Sequence, residues 1–154
     1  MSLQFTYILC GAGWADAMIC AEDSRHEIPV SYLHDTLCEL VSGMNQILGD
    51  EKESVDIHFV DEPGEHKVVL RALGSDDISL ELFYSQAWSN LSESNAITYD
   101  LIFSTTSSKK HFAHLVLAVL ENILEQYGKQ GYREQWVNHD FPSEEYQKLK
   151  FRLS

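Results

Sequence analysis

Three cysteines, three prolines and eight glycines are all that the 154 residues hold of each. Cys10, Cys20 and Cys38 are odd in number and form no Cys-x-x-Cys pair. No disulfide framework can be read from them, so a reducing compartment is expected. Basic residues are scarce too. Eleven Lys and Arg stand against 24 Asp and Glu, a net charge of −13. Nucleic-acid binding rests on Lys and Arg neutralising phosphate, so neither nucleic acid nor an anionic membrane surface is an expected partner. No apolar run approaches the ~18 residues of a membrane span. The run at residues 5–10 has no Lys or Arg before it and is short for a secretory signal, so the expected location is the cytoplasm. No repeat, linker or low-complexity segment appears, and the length suits one globular domain over residues 1–154.

What is present is apolar periodicity. The composition is 44% apolar, enough for a core. Phe5, Tyr7 and Leu9 alternate with polar or small neighbours, residues 14–22 do so more loosely, and residues 27–30 are short and extended around Pro29. Ser31 is the expected N-cap of an amphipathic helix with Leu33, Leu37, Leu40, Val41, Met44, Ile47 and Leu48 on one face. Asp35, Glu39, Ser42 and Gln46 fall on its wet side, and Gly49 stands where a C′ glycine belongs. Further strands are expected. Val55, Ile57 and Phe59 alternate with Asp56 and His58. The segment Glu62-Pro63-Gly64-Glu65 is expected as a type II turn, residues 66–73 return, and residues 78–84 and 97–105 add two more strands. A second helix is expected over residues 109–127, stopped by Gly128, and Pro142 opens a short last helix ending near Lys148 and Lys150. Tight turns between adjacent strands imply antiparallel pairing. The expected fold is α+β and two-layer. Its mostly antiparallel meander sheet has about six or seven strands, with two long amphipathic helices on one face and a short C-terminal helix.

The stretch Gly11-Ala12-Gly13 follows a strand, as a dinucleotide loop would. The third glycine of G-x-G-x-x-G would fall at position 16, where Asp16 stands, and Trp14 is bulky where backbone must approach a ligand. A hairpin turn is the expectation, with Trp14 in the core or over the sheet edge. A better anion-site candidate is Ser107, Ser108, Lys109 and Lys110, where a strand meets a helix. Ser107 or Ser108 can cap the helix, but the two lysines fall in its first turn, against the dipole. His111/His114 and His34/Cys38 are spaced as helix-borne metal ligands can be, yet neither pair has a third donor nearby in sequence. No metal and no cofactor is therefore expected. No catalytic constellation stands out either, although a Cys/His nucleophile assembled in space stays open.

The charge is uneven. Residues 1–100 carry 4 basic and 18 acidic side chains, or −14, and residues 101–154 carry 7 and 6, or +1. Seven acids crowd residues 50–65. Of these Asp61, Glu62 and Glu65, with Trp88 beyond them, are the candidate contacts to a partner, which charge complementarity makes a basic protein.

The segments GWADAMI (13–19), SYLHDTLCEL (31–40) and DEPGEHKVVL (61–70) together resemble a family of small bacterial proteins with no assigned activity. That family shares a Gly-Trp turn, a Ser-Tyr-Leu helix start and a Glu-Pro-Gly-Glu hairpin. The resemblance spans the N-terminal half and implies no catalytic residue. In size and acidity the chain also resembles immunity proteins, which neutralise basic toxin nucleases. The leading expectation is thus a bacterial, non-enzymatic acidic interaction module. The alternative is a small-molecule or anion binder, or an enzyme, with its site at the start of the second helix. A homodimer is a third possibility.

Overall fold

In the computed structural model, the described residues are 3–86, 98–137 and 139–154. Seven strands and four helices follow in the order β1 (Gln4–Gly11), β2 (Trp14–Ala21), β3 (Ser24–Ser31), α1 (Thr36–Leu48), β4 (Ser54–Val60), β5 (Glu65–Leu73), β6 (Asp77–Ser85), β7 (Asp100–Ser108), α2 (Lys109–Gln126), α3 (Gly128–Trp136) and α4 (Ser143–Arg152). The fold is α+β and all strand pairing is antiparallel. The single meander is divided into two sheets, β1-β2-β3 and β4-β5-β6-β7, and α1 occupies the break between them.

Strict alternation explains the first sheet. Phe5, Tyr7 and Leu9 of β1, Ala15, Ala17, Ile19 and Ala21 of β2, and Ile28 and Val30 of β3 are all buried. In the second sheet Ile57, Phe59, Val68, Leu70, Ile78, Leu80 and Leu82 face the same core. The helices cover these inner faces, with α1 on β4, α2 on β1 and β7, α3 on β1, and α4 on α1 and α2.

Turns carry the positive φ angles. Ala12 (φ 55) and Gly13 (φ 81) are the two central residues of the β1–β2 hairpin, and both at positive φ is what a type I′ turn requires. The Gly13 amide donates to the Gln135 carbonyl at 2.9 Å, and its carbonyl accepts from the Tyr32 amide at 2.8 Å. The hairpin is thus tied through Gly13 to α3 and to the segment after β3.

Several expected boundaries move. Ser31 ends β3 instead of capping α1; it is buried, and its hydroxyl donates to Glu62 at 2.5 Å. The helix starts one turn later, behind Asp35. Gly49 has φ −87, so it is no left-handed C′ residue, and Asp50 (φ 57) makes that bend. The Glu62–Pro63 bond is cis and the positive φ sits at Glu62, so residues 62–65 are not a type II turn. Gly64 is needed for space, because a Cβ there would lie 2.6 Å from the Tyr84 hydroxyl. Strand β7 runs on to Ser108, three residues past its expected end. Gly128 (φ 67) ends α2 but also opens α3, a helix the pattern did not announce.

Candidate functional site

Strand β4 is the outer strand of its sheet, so alternate backbone groups face away from β5. Such an edge needs cover, and α1 supplies it at His58. Thr36 in the first turn of α1 donates its hydroxyl to the His58 carbonyl at 2.7 Å. The Glu39 carboxylate accepts the His58 amide at 2.5 Å. The same oxygen, Oε1, lies 3.0 Å from His58 Nδ1 and 3.1 Å from His34 Nε2. His34 arrives from the segment between β3 and α1. A helix turn, an edge strand and a linking segment therefore place two imidazoles and a carboxylate around one point.

The three donor atoms all lie within 4.8 Å of one another, and each side chain keeps between 27% and 29% of its surface. The two rings stand nearly perpendicular, centroids 5.7 Å apart. Burial by itself would raise the Glu39 carboxyl. The hydrogen bonds from both histidines and from the His58 amide outweigh it and hold the group at about 2. The Glu39 hydrogen bond raises His58 against the opposing effect of burial.

A second polar group lies alongside. Asp35 faces His139, with Oδ2 and Nδ1 3.7 Å apart, and His139 Nε2 is 2.8 Å from the Tyr32 carbonyl. Burial raises the Asp35 carboxyl, and His139 partly offsets this. Burial also raises the Cys38 thiol, with Asp35 adding to it, so Cys38 is held away from the nucleophilic thiolate. His34 and Cys38 do not act as a pair. The Cys38 sulfur faces the Ser42 hydroxyl at 4.0 Å, while His34 turns to Glu39. Nor do His111 and His114 converge, since His111 Nε2 sits 2.7 Å from the Leu3 carbonyl and His114 is exposed.

The acidic-hairpin residues are dispersed. Glu65 is fully buried and accepts the Tyr99 hydroxyl. Asp61 is half-buried and its carboxyl is raised by that burial. Glu62 is exposed but engaged by Ser31. The three do not form an open gripping surface, because the hairpin folds back on the end of β3. Trp88 lies outside the described residues.

The start of α2 is a cavity of about 420 Å³, lined by Ser108, Lys109, Lys110, Asp76 and, from the end of α4, Arg152. Ser108 is the N-cap, its hydroxyl accepting the His111 amide at 3.0 Å. Ser107 belongs to β7. Lys109 is buried, its ammonium donating to the Gly74 carbonyl at 3.2 Å and lying 3.9 Å from Asp50. Its charge is therefore matched within the chain, which answers the dipole conflict for Lys109 alone. Lys110 and Arg152 are exposed.

One further surface is prominent. Among the described residues no helix covers the outer face of β1-β2-β3. Ile8 is 59% and Trp14 37% exposed there, so Trp14 lies outside the core. The paired rows are Ile8–Asp16–Pro29 and Thr6–Met18–Glu27. No helix among the described residues is long and apolar enough to cross a membrane.

No protein-family model matches the chain, and comparison with curated proteins finds no match. Among solved structures, a chain of the CdiA-CT/CdiI toxin and immunity complex from Enterobacter cloacae is similar. The TM-score is 0.45 at 11% identity, covering 77% of this chain and 99% of that chain. Similarity at that level leaves a common fold unestablished, and no residue role is carried across.

Proposed function

We propose that the chain is a non-enzymatic, immunity-like interaction module that receives a basic protein on the uncovered outer face of β1-β2-β3. The observation that carries this reading is the make-up of that face. Ile8, Trp14, Met18 and Pro29 give it apolar anchors, and Asp16 and Glu27 stand in the same cross-strand rows. Glu22 and Asp23 are exposed at the adjoining turn. Aromatic and methionine anchors with a charged rim are the composition of protein interfaces. Arg25, the cation on this face, is already paired with Glu27 at 3.0 Å. A second copy would bring its own −13 charge, so electrostatics favour a basic partner over self-association.

The test is recovery of a partner from the native host at low salt, followed by measurement of its affinity. The recovered protein should bind Asp16→Arg/Glu27→Arg roughly tenfold or more weakly, with the difference shrinking as salt rises. A partner indifferent to both changes contradicts the reading, and light scattering that shows a dimer through this face replaces it.

The cavity at the start of α2 supports a second reading, a site for a small phosphate or carboxylate held by Lys110, Arg152 and the first turn of α2. Thermal-shift screening with phosphates, nucleotides and carboxylates tests it. A bound anion raises the melting temperature by mass action, and Lys110→Ala with Arg152→Ala should abolish the rise. No shift with any anion, or a shift that survives both substitutions, rules it out.

A further inference from the structure

The cluster of His34, Glu39 and His58 is more than a hydrogen-bond network needs. Glu39 Oε1 already accepts two groups from His58, the amide and Nδ1. His34 Nε2, a buried nitrogen, approaches the same oxygen to 3.1 Å. Three nitrogens thus converge on one carboxylate oxygen, and two of them are imidazole nitrogens able to meet a shared ion.

We propose that His34 Nε2, Glu39 Oε1 and His58 Nδ1 form a zinc-class divalent metal site. Two imidazole nitrogens and one carboxylate oxygen are a donor set that zinc favours, with three protein ligands and an open fourth position. Tetrahedral zinc with bonds near 2.0–2.1 Å separates its ligand atoms by about 3.3 Å. The two separations from Glu39 Oε1, 3.0 and 3.1 Å, lie close to that. The near-perpendicular rings can both aim a nitrogen at one point. The side chains remain more than a quarter exposed, although His34 Nε2 itself is buried. Water, or a donor atom from a bound protein, would complete the coordination. The His58 amide and the Thr36 hydroxyl hold the ligand-bearing segments in register, as outer partners of metal ligands do. The ion would tie α1 to the edge of the second sheet.

The experiment uses the untagged, full chain freed of metal by chelator and then titrated with Zn²⁺ by calorimetry, with stoichiometry checked by elemental analysis. One zinc per chain is expected, with a raised melting temperature and affinity that falls as pH drops through the histidine range. His34→Ala and Glu39→Gln should each weaken binding at least roughly tenfold. His114→Ala, an exposed histidine outside the cluster, should leave it unchanged. Co²⁺ substitution should give the intense visible bands of a tetrahedral site. His34 lies outside every helix and strand, so its variant should stay folded by circular dichroism. Failure of the folded wild-type chain to bind Zn²⁺ overturns the site, as does binding lost with His114→Ala and kept with His34→Ala. Neither outcome bears on the sheet face.

Discussion

Individual side chains set the acid sensitivity of this fold. His66 on β5 packs at a tilt against Tyr84 of β6, centroids 4.8 Å apart, and His26 of β3 packs likewise against Phe103 of β7 at 5.0 Å. Burial lowers the His66 ring to about 4, and nearby His26 adds to the effect. The unfolded ring titrates near 6.5. Between pH 6.5 and pH 4 the unfolded chain therefore takes up a proton that the folded chain refuses. Stability falls across that window as pH drops, by roughly 2 kcal/mol after allowance for partial exposure, and levels off below it. His66→Phe keeps an aromatic ring against Tyr84 and should remove most of this loss in urea titrations at pH 7 and pH 4.5. An unchanged pH dependence would assign it elsewhere. The candidate metal cluster was only partly legible at this scale. His34 stood out, but spacing paired it with Cys38. Glu39 read as one of four residues on the wet side of a helix, and His58 as the polar alternate of a strand. They meet because an edge strand needs its outward amide and carbonyl covered. That requirement follows from strand order, which no local pattern contains.

Hairpins and helix ends show where local pattern is decisive. The β1–β2 turn was readable because Asp16 and Trp14 excluded a phosphate loop, and the structure closes it with Ala12 and Gly13 at positive φ. Gly13 and Gly74 both have left-handed backbone, but they differ in space. A Cβ at Gly13 would lie 2.4 Å from Tyr32 Cδ1, whereas one at Gly74 meets nothing within 4 Å. Gly74→Ala should cost about 1 kcal/mol, the left-handed penalty alone. Gly13→Ala should cost roughly twice that or more, because Tyr32 must also move. Denaturant midpoints of the two variants check this, and equal losses would mean Tyr32 yields freely. The start of α1 was misplaced for a related reason. Ser31 has the chemistry of a cap, and its oxygen accepts the Leu33 amide at 3.3 Å, but it belongs to β3, where its hydroxyl donates to Glu62, a partner 31 residues away, and the helix begins only at Thr36. Helix α3 escaped notice because Gly128 reads as a stop and its apolar face is only Tyr132 and Trp136. Both are fully buried, one helical turn apart.

At the scale of the whole molecule, composition foretold more than motif did. A mostly antiparallel meander of about six or seven strands and a helical layer were legible in the alternation and in the 3.6-residue periods. The division into two sheets was not, because it depends on where α1 inserts rather than on any strand's own sequence. The charge imbalance was legible too, but its location was not. The acidic hairpin that drew attention is folded inward at Glu65, while Asp16 and Glu27, neither of which the sequence offered as a partner contact, stand beside Ile8, Trp14 and Met18 on the outer sheet face. That face, offered to a basic protein, is the central claim. The most direct measurement is the affinity of the recovered host partner for the wild-type chain and for Asp16→Arg/Glu27→Arg across a salt series. The account predicts that the double variant binds roughly tenfold or more weakly at low salt and that the two curves converge as salt screens the contact. Two superimposable curves, with no salt dependence, would contradict it.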